Sequence, residues 1–398
     1  MLHHNANHAS RSLRRFGTCR HRPKPPDDRR VAQASPLSMP APLTFSAGPL
    51  GKLDVQGIAS GMAFYQDFPQ GAAGTMGAKN VGADITNGMV IIQKNTGALQ
   101  FYIQAGAYSF PTLAAAIPSS TSDINFFGAM PVAYLKYAPS SDYSVEVGKL
   151  PTLIGAEGGF TYQNINIARG LLWDVEPIVS RGVQFNASKG PISASVSLND
   201  GYYSNRYNVM SGLLSYAING SNTVSFYAQG PLGKVRQPFT TAAYSAYSAY
   251  SAIGTSSDIY GVEYVYSSGP WMIEPYVQYM HTPQSNRLGI AHSFSNYGAS
   301  VLADYSFTNT ISLAGRVEYL GVGGKPGQGI SSSAAGLTDL PADSHAWSIT
   351  LTPTYQDGGF FARAELSYVA ASAPAGLGLS SFNNTTQLRG MLETGFMF

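Results

Sequence analysis

Four charged side chains stand in a stretch too apolar to be an ordinary surface loop: Glu157, Arg169, Asp174 and Glu176, among Ile165, Ile167, Leu171, Leu172 and Trp173. Three arginines further on each have a glutamate two or four residues along, as Arg316 and Glu318, Arg363 and Glu365, and Arg389 and Glu393. Even spacing puts both members of a pair on one face of an extended strand. Charges so placed break no bonds. Gathered around a narrow wet passage, acids opposite arginines select solutes by sign and size and orient dipolar ones. Simple ion pairing within each Arg/Glu couple explains the same spacing with no selectivity at all. Nucleophile-elbow, phosphate-loop and dinucleotide fingerprints are absent. His281, His292 and His345 are scattered without metal-ligand spacing. No enzyme, metal or cofactor chemistry is therefore expected.

What must position these charges is a set of strands. From residue 52 onward, alternating apolar and polar segments recur between turn residues. Sixteen are read, most of them close to the ~9–11 residues of a tilted membrane-crossing strand. In 191–199, Ile192, Ala194, Val196 and Leu198 oppose Ser193, Ser195 and Ser197. In 344–355, Trp347, Ile349, Leu351 and Tyr355 oppose Ser348, Thr350, Thr352 and Thr354. One strand is expected over 125–137, and bulges are expected at Pro275 and Pro353, because proline removes a ladder donor. The connections alternate strictly between tight turns, such as Asn95-Thr96 and Asn219-Gly220, and longer segments, of which 150–179 is the third. A two-sheet soluble protein has no reason to sort its connections by length. A transmembrane antiparallel β-barrel does, with short periplasmic turns, long extracellular loops and an even strand count. The expected fold class is all-β, a barrel of about 16 strands.

Composition agrees. Charged residues make up 12% of the chain, about half of the ~25% usual in soluble domains, and mean hydropathy is −0.05. The sequence has no run of ~18 apolar residues of the kind a spanning helix needs. Residues 1–30 carry eight Lys/Arg and two acids, net +6, which leaves sixteen basic and twenty acidic residues, net −4, for the rest. The basic head holds the single cysteine, Cys19, and lacks aromatic interleaving, so nucleic acid is not an expected partner. Ala32-Gln33-Ala34 has the form of a signal-cleavage site but no apolar core precedes it. Residues 1–44 are expected to be a disordered or misassigned extension to a barrel over 45–398. The Tyr-Ser-Ala repeat over 244–252 is expected to be a mobile surface loop.

At the end of the chain, Leu388, Gly390, Leu392, Thr394, Phe396 and Phe398 share one face of a strand, with Arg389, Glu393 and Gly395 on the other. This resembles the closing strand of a bacterial outer-membrane barrel. The resemblance implies that Leu392, Phe396 and Phe398 belong to the signal read by the barrel-assembly machinery. A second resemblance is more specific. Gly148-Lys149-Leu150-Pro151, Asn164-Ile165-Asn166, Arg169-Gly170-Leu171-Leu172-Trp173, Arg181-Gly182-Val183-Gln184 and Asn199-Asp200-Gly201-Tyr202 together resemble the OmpL-like β-barrel porins, over about residues 45–398. What this implies is a passive pore for small hydrophilic solutes or ions, embedded in outer-membrane lipid and, by analogy with general porins, a homotrimer. With 150–179 folded inward as the constriction, its apolar side chains would lie on the barrel wall. Glu157, Arg169, Asp174 and Glu176 would then be exposed to the lumen, opposite Arg316, Arg363 and Arg389. The competing reading is a non-conducting barrel acting as adhesin or structural anchor through its extracellular loops. A barrel lipase is disfavoured, since no strand sets a histidine near a lipid-facing serine.

Overall fold

A computed structural model describes residues 37–69, 71, 73–233, 253–286, 290, 292–324, 340, 342–372 and 385–398. The Tyr-Ser-Ala repeat and residues 1–36 of the expected extension lie outside them. The strands are β1 (Leu43–Ser46), β2 (Lys52–Gln66), β3 (Val81–Lys94), β4 (Leu99–Tyr108), β5 (Val132–Tyr137) and β6 (Tyr143–Pro151). There follow β7 (Val179–Lys189), β8 (Ile192–Asn199), β9 (Val209–Asn219), β10 (Asn222–Pro231), β11 (Asp258–Ser268) and β12 (Trp271–Thr282). The last five are β13 (Phe294–Ser306), β14 (Ile311–Gly323), β15 (Ser344–Asp357), β16 (Phe360–Ala371) and β17 (Thr386–Met397).

From β2 to β17 each strand pairs antiparallel with its sequence neighbour, and β17 returns to β2, from Arg389 opposite Gln66 to Met397 opposite Ile58. Sixteen strands thus close into one barrel, as the alternating segments predict. The last residue completes the seam: Phe398 N–H donates to the Gly57 carbonyl (3.1 Å) and Gly57 N–H to the Phe398 carbonyl (2.9 Å). Closure removes the free edges that an open sheet would expose. The short β1 adds to this seam, pairing with the first part of β2 from Leu43 opposite Val55. Residues 37–44, expected to belong to the extension, lie against the barrel instead. Leu37 is buried, and the Ser38 backbone exchanges two hydrogen bonds with the Gln356 side chain, 2.8 and 2.7 Å.

The register turns the alternation into two surfaces. Leu392, Phe396 and Phe398 face outward and are exposed, while Arg389, Met391 and Glu393 of the same strand face inward and are buried. Outward aromatics recur at a fixed interval: Trp271 and Tyr279, Tyr297 and Tyr305, Trp347 and Tyr355, Phe360 and Tyr368 each stand eight residues apart. Eight residues of a tilted strand rise about 20 Å, near the ~25 Å of an outer-membrane apolar band with its aromatic girdles. Neighbouring rings meet along both girdles, Trp271 with Tyr305 at 4.6 Å and Tyr319 with Trp347 at 4.7 Å.

Two local expectations are corrected. The strand expected over 125–137 begins only at Val132; before it lies the helix α1 (Ser120–Phe127). The Ser119 side chain caps its first turn by accepting from Ser122 N–H, and Gly128, at φ 83°, ends it. At Pro275 and Pro353 no bulge forms: cross-strand pairing lapses at the proline and resumes in the same register. One missing donor costs a ladder bond without requiring an extra residue. The register shifts occur at Ser60/Gly61 and at Asn222/Thr223.

Candidate functional site

The third long connection, 152–178, lies inside the barrel, and its apolar side chains lie against the wall. Ile165, Ile167, Ala168, Leu171 and Leu172 join one buried cluster with Met62, Leu302, Leu320, Val369 and Met391 of the inner face. Each large side chain so buried contributes roughly 1.5–3 kcal/mol. A segment buried without regular structure must still satisfy its peptide groups. Here the wall charges do so. Arg363 donates to the carbonyls of Asn164 (2.8 Å) and Thr161 (2.9 Å). Glu365 accepts from the N–H groups of Ile167 (2.5 Å) and Ala168 (3.2 Å). Arg316 donates to the Ala168 carbonyl (2.9 Å), and Glu318 accepts from Leu171 N–H (3.0 Å). Glu393, ion-paired with Arg363, accepts from the Thr161 hydroxyl at 2.7 Å.

The loop charges are therefore not all exposed to the lumen. Glu157, Arg169 and Glu176 are buried, and of the four only Asp174 is partly exposed. Glu157 binds Arg316 on the wall and accepts from Gly170 N–H (2.7 Å) with its other oxygen. Burial pushes its carboxyl up to about 7, against the pull of Arg316. Burial, then Glu157, Glu263 and Glu318, raise the Glu176 carboxyl well above its ordinary range. Arg169 has no carboxylate within ion-pair distance among the described residues. It donates to the carbonyls of Gly158 (3.2 Å) and Pro111 (3.4 Å) and sits over the rings of Trp173 (5.4 Å) and Phe110 (5.6 Å). Burial pulls its guanidinium down to about 10.

The Pro111 contact exposes what the sequence reading missed: the second long connection, 109–131, is folded inward too. Arg169 N–H donates to the Pro111 carbonyl (3.0 Å) and Leu113 N–H to the Arg169 carbonyl (2.9 Å), so the two loops share a two-bond bridge. Arg389 holds the second loop, not the third, donating to the carbonyls of Thr112 (2.6 Å) and Ala115 (3.0 Å). The connection 200–208 locks the third loop from the other side, where the buried Tyr202 hydroxyl donates to the Val175 carbonyl at 2.6 Å.

Inward positions of β6 to β10 are of another kind. Ser144, Gln184, Asn186, Ser195, Ser211 and Ser225 form a hydroxyl and amide surface with side-chain hydrogen bonds from strand to strand, such as Ser195 to Asn186 (2.7 Å) and Asn186 to Ser144 (3.2 Å). Lys136 and Glu146 pair beside it at 3.5 Å.

The remaining motif residues meet at the long-loop rim. Asp200 takes the Arg181 side chain through Nε (2.8 Å) and Nη2 (2.7 Å), and accepts from Arg181 N–H (2.7 Å) and Asn205 N–H (3.0 Å). Gly182 must be glycine, because a Cβ there would lie 2.3 Å from the Leu198 carbonyl oxygen. Lys149 donates to the carbonyls of Phe127 and Met130, both at 2.9 Å, which anchors the return of the second loop.

A closed 16-strand barrel with aromatic girdles and an infolded loop defines an outer-membrane β-barrel of the porin class. The chain belongs to the family Putative beta-barrel porin-2, OmpL-like, whose pattern matches residues 52–398. No curated protein sequence matches it. Among solved structures, the outer-membrane OmpT of Vibrio cholerae is 10% identical with a TM-score of 0.56, covering 88% of this chain and 99% of its own. The outer-membrane channel DcaP of Acinetobacter baumannii is 10% identical with a TM-score of 0.55, covering 90% and 100%. OmpF of Salmonella typhi, in complex with daunomycin, is 14% identical with a TM-score of 0.52, covering 87% and 98%. At such identities the likeness is one of fold. Family and fold together make this a protein of the bacterial outer membrane.

Proposed function

We propose that the chain is a diffusion porin: a water-filled channel for small hydrophilic solutes and ions, narrowed by the interlocked second and third loops. Glu157, Arg169, Asp174, Glu176, Arg316, Arg363 and Arg389 set the constriction chiefly by fixing where the loops run, since most of their bonds go to loop backbone and to one another. The observation that carries the reading is the asymmetry of the interior. The loops cover the inner face of β14 to β17 and β2, whereas the inner face of β6 to β10 carries hydroxyls and amides, buried against one another in this structure but of the polar kind that a water path needs. With the wall arginines engaged by the loops, the pore discriminates weakly between ions, with a mild lean to cations from the acid excess outside residues 1–30. Leu392, Phe396 and Phe398 serve the barrel-assembly machinery, and three copies assemble as a homotrimer by analogy with general porins.

The test is the single-channel current of the refolded chain in a planar bilayer under a salt gradient. Ohmic steps with a small cation-leaning reversal potential are expected. A folded barrel that never conducts would sink the porin reading and favour a structural anchor or adhesin.

A further inference from the structure

At the rim, loop anchoring accounts for the bonds of Lys149 and Arg181 but leaves two cations side by side with donors to spare. Lys149 and Arg181 stand directly opposite each other on β6 and β7, on the outward face. Like charges in facing positions destabilise a sheet. Asp200 pairs with Arg181 alone, and Lys149 has no carboxylate within ion-pair distance among the described residues, so the trio keeps a net positive charge. Its height is set by the register: Val147, Val183 and Leu198, each two residues nearer the membrane centre on the same faces, are exposed apolar side chains. Two residues are about 6–7 Å of strand. The cations therefore lie one step above the apolar band, at headgroup level on the long-loop side.

Donors remain available there. Lys149 spends two of its three N–H groups on carbonyls. Arg181 uses Nε and Nη2, while its Nη1 donates to no protein atom among the described residues, and its side chain is 27% exposed. The Tyr203 ring lies 4.0 Å from the Arg181 guanidinium carbon and 5.4 Å from Lys149 Nζ, so both cations are held in place before any ligand arrives.

We propose that Lys149 and Arg181 form an outward-facing docking site for the phosphate headgroup of an outer-leaflet glycolipid of the lipid A type. Its acyl chains descend over Val147, Val183 and Leu198. Guanidinium and ammonium donors suit phosphate oxygens, and the apolar row below distinguishes a lipid from a free anion.

Native mass spectrometry of the full chain folded in detergent tests this, comparing diphosphorylated lipid A with its dephosphorylated form at equal concentration. Preferential retention of the phosphorylated lipid is expected. Lys149→Gln, which can still donate to the loop carbonyls, is expected to lower that retention about fivefold. Lys189→Gln, beside a turn at the opposite end, should leave it unchanged. Equal retention of the two lipids by the unaltered chain would overturn the proposal, and this comparison depends on no variant folding. So would full retention by a folded Lys149→Gln barrel. Displacement by equimolar inorganic phosphate would overturn the lipid source, since the site would then read free phosphate.

Discussion

Arg316 on β14 reaches Glu157 of the infolded loop at 2.5 Å from guanidinium nitrogen to carboxylate oxygen, and both side chains are buried. Loop and wall are joined by the kind of contact that is expensive to break from one side only.

Removing one partner of a buried ion pair leaves the other uncompensated, at a cost of about 3–5 kcal/mol. Arg316→Ala is therefore expected to lower the midpoint of heat-induced barrel unfolding in detergent. The loop is also expected to leave the wall, which changes the single-channel current. An unchanged midpoint together with an unchanged current would show that the remaining contacts of Arg363 and Glu365 hold the loop unaided.

Burial pushes Glu157 up to about 7 and raises Glu176 as well. An acid whose folded pKa exceeds its unfolded value binds its proton more tightly when docked. Its contribution is fully present below the unfolded value of ~4.3 and is lost as pH rises through the folded one. The loop is therefore expected to be docked most firmly near pH 5 and less so by pH 8. Hydrogen exchange at Gly170 N–H, which donates to Glu157, reads this directly after correction for intrinsic rates. Glu157→Gln is expected to flatten the profile. Protection that grows with pH would contradict the assignment.

Gly170 passes so close to Glu318 that a Cβ would lie 2.0 Å from the carboxylate oxygen. That carboxylate cannot retreat freely, since it also accepts from Leu171 N–H and from the Ser348 hydroxyl (2.7 Å). Gly170→Ala is expected to cost about 1–3 kcal/mol, the range for overpacking a filled interior, measured as a lowered unfolding midpoint. An alanine variant as stable as the original would mean that the loop can shift away from β14 at no cost.

Much of this was legible in the residues. Strand number, closure, the outward face of Leu392, Phe396 and Phe398, and the infolding of 150–179 follow from alternation and from apolar side chains that need a surface. The burial of Glu157, Arg169 and Glu176 does not follow from spacing. Charged side chains imply a wet lumen until one asks how a loop without regular structure satisfies its own peptide groups, and then Arg363 and Glu365 read as backbone partners. The second loop was misread because Phe126 and Phe127 suit a strand as well as a helix. The cues that decided it were punctuation: Pro118-Ser119 before the segment, Asp123 in its first turn and Gly128 after it. Asp123 does double service by accepting from Phe110 N–H (2.8 Å), a long-range bond that no periodicity announces.

If water follows β6 to β10, chemistry can map the path. In a background lacking the single cysteine, Cys19, a cysteine at Ser195 stands on the polar inner face, where the serine is 6% exposed, whereas one at Ala314, 0% exposed, lies beneath the apolar side of the third loop. A water-soluble methanethiosulfonate is expected to modify Ser195→Cys and to reduce the current, and to leave Ala314→Cys untouched. Combining Ala314→Cys with Arg316→Ala, which releases the loop, is expected to make the buried thiol reactive. If Ala314→Cys reacts as fast as Ser195→Cys with Arg316 intact, water reaches the wall beneath the loop. The channel would then run along β14 rather than along the serine-lined side, and the selectivity argument would return to the arginines.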